Sequence, residues 1–209
     1  MLWLIRFSSD LTTKLRNTRR RFQGRLLHNL RDALRAHGIE HALELQWSRL
    51  YLESDDARVP GVLERVFGVH SFSLVEARPQ AGLDALVAEG AALYGGAVRG
   101  KAYAVRARRT GGVPYSSMDV QVALGAALNP GARVDLSNPD VTVHVEARED
   151  QVYFFTDTSP GPDGLPLGVE GRALALMSGG FDSAVAAWML LKRGLKLDYV
   201  FFRLGGEAH

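Results

Sequence analysis

Six consecutive residues, Ser178-Gly179-Gly180-Phe181-Asp182-Ser183, combine the types that can hold a phosphate. Gly179 and Gly180 let the backbone approach a ligand closely, and the Ser178 and Ser183 hydroxyls add donors. Between a strand and a helix, the unpaired amides of the first helical turn would point at the same spot and favour an anion. Asp182 would repel a phosphate directly, so it suits fixing the loop through backbone hydrogen bonds or helping to hold Mg²⁺. Two glycines alone would also fit an ordinary capped turn; the whole hexapeptide in a strand–turn–helix setting favours phosphate. It is neither a Walker loop, which needs Gly-x-x-x-x-Gly-Lys, nor the three-glycine dinucleotide fingerprint.

The flanking pattern supplies that setting. Ala173–Met177 is a continuous apolar run suited to a buried parallel strand, Ser183–Arg193 has helical character ended by Gly194, and Leu197–Arg203 reads as a second strand. One strand, helix and strand make a βαβ unit, the start of a doubly wound sheet with its edges uncovered, and therefore the expectation is part of a domain. Before it, Ser159–Pro166 has three Pro and two Gly in eight residues, which predicts a linker.

Upstream, Leu2–Phe7 reads as a strand and Ser8–Arg16 as a polar, basic connection. From Asn17, Phe22, Leu26, Leu27, Leu30, Ala33 and Leu34 recur at helical spacing up to His37-Gly38. Strands are expected at Leu43–Trp47 and Arg49–Glu53 with a tight reversal at Trp47–Ser48, a helix at Val59–Phe67 and a strand at Ser71–Glu76. That β-α-β-β-α-β order is the split βαβ, ferredoxin-like arrangement. A second α/β unit follows, with a helix over Ala81–Leu93 stopped by Gly95-Gly96, an alternating strand Lys101–Arg109, a Ser-capped helix to Leu128 and a hairpin of Val141–Glu146 with Gln151–Phe155.

Hydrophobic residues at 46% and charged residues at 23% describe an ordinary globular protein. No apolar run approaches the ~20 residues of a membrane span, and Met1–Arg6 is charged too soon for a signal peptide, so a cytoplasmic chain is expected. There is no cysteine, which excludes disulfides, thiolate metal sites and a sulfur-carrying Cys within these residues. His37 and His41 straddle a helix stop and the other histidines are isolated, so no metal site is expected beyond Mg²⁺ accompanying a nucleotide. The net charge of +2 hides a pattern: residues 1–35 carry nine Lys/Arg against two acids, and residues 101–133 five against one. Two basic blocks predict a surface for a polyanion. Arg19, Arg20, Arg21 and Arg25 on the first long helix, with Lys101, Arg106, Arg108 and Arg109 on the later strand, are the candidate cations of that surface. Tyr103 and Tyr115 suit core or loop packing better than base stacking.

The hexapeptide resembles the PP-loop of ATP pyrophosphatases, which cleave ATP between its α and β phosphates. That resemblance implies ATP and Mg²⁺ as cofactors, Ser178, Gly179, Gly180, Asp182 and Ser183 around the pyrophosphate with Asp182 in the catalytic role, and Leu176, Met177, Phe201 and Phe202 beside the purine. Phe67–Ser73, Tyr103–Arg109, Asn138–Glu146 and Pro160–Gly168 then look like the N-terminal half of tRNA 4-thiouridine synthetases. This implies an α+β ferredoxin-like domain (residues 1–76), an α/β THUMP RNA-binding domain with linker (77–168) and the start of a doubly wound α/β PP-loop domain (169–209). It further implies an ATP-dependent tRNA sulfurtransferase that adenylates uridine O4, the tRNA acceptor region as partner, a persulfide-carrying donor such as a cysteine desulfurase, a homodimer when intact, and possible sulfur supply for thiamine synthesis. Phe7–Lys14 departs from the Arg-Tyr-Gly-Glu-type run of many members. The alternatives are a non-catalytic tRNA-binding module and another PP-loop amidating synthetase.

Overall fold

The computed structural model describes residues 1–46 and 49–203. The reversal expected at Trp47–Ser48 lies outside the described residues. The elements are β1 (Leu2–Phe7), α1 (Ser9–Thr12), α2 (Arg16–Ala36), β2 (Ala42–Gln46), β3 (Arg49–Glu53), α3 (Val59–Leu63), β4 (Val69–Pro79), α4 (Leu83–Val98), β5 (Ala102–Arg109), α5 (Ser117–Leu128), β6 (Arg133–Val134), β7 (Val141–Ala147), β8 (Gln151–Phe155), β9 (Ser159–Pro160), β10 (Arg172–Met177), α6 (Phe181–Lys192) and β11 (Lys196–Phe201). They fall into two compact units, residues 3–72 with 159–209 and Met1, and residues 73–158 with Leu2. No described helix is long and apolar enough to cross a membrane.

In the first unit the strand order is β2-β3-β1-β4, the expected split βαβ sheet. Helix α2 covers it because Phe22, Leu26, Leu30 and Leu34, four residues apart, make one stripe that is almost wholly buried. Each such side chain contributes about 1.5–3 kcal/mol of burial. The helix ends in a Schellman turn: Gly38 at φ +64° donates to the Arg35 carbonyl at 2.9 Å, and Ile39 donates to Leu34 at 3.0 Å. Two expectations change here. The Ser8–Arg16 stretch contains α1, which buries Leu11, and α3 stops at Leu63, where Arg65 and Val66 turn back on Val62 and Leu63 so that both Val66 and Phe67 reach the core.

The Ser159–Pro166 segment is built into this unit and is not a free linker. β9 pairs with Ser71 and Phe72 of β4. Gly161 then donates to the His70 carbonyl at 2.8 Å, Asp163 donates to Val69 at 2.9 Å, and Gly68 donates back to Asp163 at 3.0 Å. A Cβ on Gly161 would run into the Val69 carbonyl, so this glycine is needed for the close pass. Leu165 is buried in the same core as Val69 and Phe72, and its amide donates to the Lys192 carbonyl at 2.9 Å, at the end of α6. The Pro and Gly content shapes a strap.

In the second unit the sheet order is β4-β8-β7-β5-β6, with β5 parallel to both β7 and β6. An inner parallel strand is covered on both sides, so Ala102–Val105 are all buried where alternation was expected. Helix α5 starts on a reciprocal cap, Ser116 Oγ accepting from Asp119 N–H at 3.1 Å while Asp119 accepts from Ser116 N–H at 2.7 Å. Helix α4 runs through Gly95-Gly96 to Val98. Continuing buries Val98 completely, which outweighs a cost of ~1 kcal/mol per glycine. Tyr103 is core, its hydroxyl donating to Gly125 at 2.5 Å, and Tyr115 is buried with its hydroxyl accepting from Gln80.

β10 and β11 pair in parallel as expected, with α6 between them in sequence. Among the described residues only Ala175, Ala187 and Leu197 form their buried cluster, with Leu174 and Leu176 exposed, so β10 is not the buried strand its apolar run predicts.

Candidate phosphate loop and nucleic-acid interface

β10 ends at Met177 and α6 begins at Phe181, so Ser178, Gly179 and Gly180 form the turn at the carboxyl end of a parallel strand, where open α/β sheets bind ligands. The two serines tie this turn together. Ser183 Oγ accepts from Ser178 N–H at 3.2 Å, lies 3.2 Å from Ser178 Oγ, and sits 3.0 Å from the Gly180 carbonyl; Gly180 N–H donates to Ser178 Oγ at 3.3 Å. Their first role in this geometry is therefore to hold the loop. Gly180 is the N-cap residue in an extended conformation, and no side chain caps α6. A Cβ at Gly179 would meet nothing within 4 Å. Backbone angle and packing do not demand glycine at Gly179; what it leaves is open space over an uncapped, anion-favouring helix start.

Asp182 is exposed in the first turn of α6. Parallel register sets Met177 beside Phe201, so Leu176, Met177, Phe201 and Phe202 gather at the same strand ends as the loop. Leu176, Phe201 and Phe202 are each about two-thirds exposed, which places them as a rim and not as core. Among the described residues no three His, Cys, Asp or Glu side chains cluster as metal ligands. One exposed carboxylate beside a phosphate loop still fits Mg²⁺, which takes one or two carboxylates together with substrate phosphates.

The four α2 arginines do not act as one patch. Arg19 and Arg20 line a cavity of about 440 Å³ together with Arg16, Gln23, Gly24 and Leu45. Arg25 lines a separate one of about 470 Å³ with His28, Asn29 and Asp32, closed by Leu167, Gly168 and Gly171 and by the first residues of β10 and β11, Arg172 and Lys196. Arg21 lies with its guanidinium 5.2 Å from the Phe22 ring centroid. In sequence Arg16 falls within the polar connection, yet its i, i+3, i+4 spacing with Arg19 and Arg20 is the signal that places it with them. In the second unit Lys101, Arg106, Arg108 and Arg109 are all exposed. Arg106 and Arg108 share one face of β5 and Arg109 takes the other; Arg106 Nη2 donates to the Leu136 carbonyl at 2.5 Å.

Three domain families match in order: the ThiI ferredoxin-like domain over residues 2–73, the THUMP domain over 87–157 and the thiamine biosynthesis protein ThiI over 168–209. A probable tRNA sulfurtransferase of Saccharolobus solfataricus is 37% identical over 210 residues, covering 100% of this chain and 56% of the relative. The tRNA sulfurtransferase of Shigella dysenteriae is 34% identical over 216 residues, covering 100% and 45%. The chain thus spans about half the length of the curated relatives it matches. Among solved structures, the Pyrococcus horikoshii protein PH1313 superposes with a TM-score of 0.85 at 26% identity, covering 99% of this chain and 69% of that one. A 4-thiouridine synthetase solved with RNA and bound ATP superposes with a TM-score of 0.69 at 27% identity, covering 97% and 52%. With its three domain families matched in order and relatives aligned along its whole length, the chain is similar throughout to the ThiI family.

Proposed function

We propose that this chain is the RNA-binding and pyrophosphate-holding part of an ATP-dependent tRNA sulfurtransferase that makes 4-thiouridine. The observation that carries the reading is the uncapped, glycine-opened loop Ser178–Ser183 on a strand-to-helix turn, downstream of a THUMP fold. ATP supplies the activating AMP group. In this reading uridine O4 attacks the α phosphorus and pyrophosphate leaves into the loop, where the backbone amides at the start of α6 receive its charge. Ser178 and Ser183 keep those amides aimed, Asp182 would offer one carboxylate to Mg²⁺, and the rim Leu176, Met177, Phe201 and Phe202 would contact the purine. A persulfide sulfur then attacks C4 and displaces AMP, and a second thiol on the donor side cleaves the S–S bond, which leaves 4-thiouridine and a disulfide. These 209 residues contain no cysteine, so that sulfur comes from outside them, in keeping with a donor such as a cysteine desulfurase. Arg19, Arg20, Arg21 and Arg25 on α2, with Lys101, Arg106, Arg108 and Arg109 along β5 and the residue before it, hold the tRNA phosphates. The homodimer, the soluble cytoplasmic setting and sulfur supply to thiamine synthesis belong to the same family-based reading.

A second reading is favoured by the exposure of Leu174, Leu176 and Tyr199 on a two-stranded sheet: residues 1–209 alone bind RNA and do not turn over ATP. One experiment addresses both. A tRNA with an intact acceptor end is titrated against this chain with and without ATP, and tRNA-dependent pyrophosphate release is followed in a protein extended to the relatives' length. ATP-indifferent RNA binding here, with release in the longer protein that Asp182→Asn abolishes, is the expected result. Failure of tRNA to bind either protein overturns the sulfurtransferase reading in favour of a small-molecule synthetase.

A further inference from the structure

Arg16, Arg19 and Arg20 share one groove between the first half of α2 and the edge strand β2, with Gln23, Gly24 and Leu45 among its described lining residues. The spacing i, i+3, i+4 sets three guanidinium groups on one helix face. None of the described lining residues is acidic, in contrast to the cavity at Arg25, where Asp32 pairs with His28 at 3.1 Å.

Helix stability does not account for this arrangement. Cations in the first turns oppose the helix dipole, and α2 has neither an acidic residue in its first turn nor a side-chain hydrogen bond at its Leu15 cap. Gly24 sits inside a 21-residue helix, where Ala would be more stable. A Cβ at that position would meet nothing within 4 Å, so the fold itself does not require glycine. What glycine provides is bare backbone beside three cations, in a groove that also offers the partly exposed apolar side chain of Leu45.

We propose that this groove seats the sugar–phosphate backbone of an RNA strand, with Arg16, Arg19 and Arg20 holding its phosphates and Gly24 admitting a ribose against the helix. The proposal rests on the RNA-binding reading above and narrows it: Arg21 and Arg25 lie outside the groove. Guanidinium forks match phosphate oxygens in pairs, and a glycine gap over an apolar side chain suits the ribose. An acidic peptide is the competing occupant.

The test is fluorescence anisotropy with this 209-residue chain and a labelled RNA hairpin of acceptor-stem length bearing a single-stranded 3′ end, from 50 to 200 mM salt. The Arg16→Gln/Arg20→Gln double variant is expected to flatten the log K against log salt slope by about 1.5, because each phosphate that a cation neutralises contributes ~0.7–0.9 to it. Gly24→Leu is expected to weaken binding about tenfold while the Tm stays level or rises, a combination that a purely structural glycine would not give. Arg35→Gln, in the last turn of the same helix, leaves affinity and slope at wild-type values. If the wild type binds RNA and the Gly24 and arginine variants bind it equally well, the groove assignment is wrong and the RNA-binding reading stands. If a polyglutamate peptide competes with the RNA and loses affinity in the same variants, the groove serves acidic protein segments and the proposal falls. Absence of RNA binding by the wild type overturns both readings.

Discussion

The Trp188 ring of α6 meets the Phe67 ring edge-on, with centroids 5.8 Å apart and planes at 66°. Phe67 belongs to the buried end of the first unit's α3 region, and Lys192 Nζ lies 5.0 Å from the centroid of the same indole. Together with the Leu165 amide on the Lys192 carbonyl, this contact fastens the helix that begins after the Ser178–Gly180 turn to the ferredoxin-like core. Trp188 is about half exposed, so Trp188→Ala is expected to cost about 2 kcal/mol, roughly half the loss for a fully buried aromatic. Urea denaturation checks the magnitude. Hydrogen exchange checks the location: α6 amides should gain exchange while those of α4 and α5 hold their protection.

How much of this was legible in advance depends on whether the determinant is local. The stripe Phe22–Leu34, its Gly38 stop and the hexapeptide between strand and helix are written in nearest-neighbour spacing, and the structure has them where the pattern places them. The run through Gly95-Gly96 was not readable, because the burial of Val98 that keeps the helix going is a tertiary term. The strap failed for the same reason: Pro and Gly composition cannot distinguish a free linker from a segment whose amides find carbonyls on β4 and α6. At the candidate site the loop residues were legible. The division of the arginines between two cavities was not, since it depends on where β2 and the strap lie against α2.

Gly90 lies on α4 where a Cβ would come within 2.8 Å of Leu124 Cδ1 and 3.0 Å of Phe154 Cε1. Gly90→Ala gains helix propensity of about 1 kcal/mol but inserts a methyl into closed packing, which costs about 1–3 kcal/mol. The second effect is expected to win by about 1 kcal/mol, read as a lower urea midpoint. Adding Leu124→Val removes both colliding δ carbons of that side chain, so the double variant should be more stable than the sum of the single losses. Strict additivity would mean that the two residues do not compete for space.

Tyr94 packs beside Phe154, and burial, reinforced by the Glu76 carboxylate, pushes its phenol up to about 12. A group whose pKa rises on folding stabilises the native state fully below its unfolded value of about 10 and loses that contribution as pH climbs through the folded value. Stability is therefore expected to fall between about pH 10 and 12. Tyr94→Phe should reduce that fall while leaving the pH 7 midpoint within about 0.5 kcal/mol of wild type. Parallel pH curves for the two proteins would mean that another group is responsible.

The open space at Gly179 separates ligand binding from folding in the same way that Gly24 does on α2. Because a Cβ there meets no protein atom within 4 Å, Gly179→Val should fold with a Tm close to wild type. In the proposed reaction that same space receives a departing phosphate, and branched carbons would stand between it and the amides at the start of α6. In a protein extended to the relatives' length, tRNA-dependent pyrophosphate release should therefore drop by about 100-fold, comparable to losing one anion-stabilising donor. RNA affinity, carried by side chains elsewhere, should stay unchanged. A variant that releases pyrophosphate at the wild-type rate would show that the anion does not approach the loop over Gly179. A variant that loses RNA binding together with pyrophosphate release would show that the loop and the RNA surface are not independent.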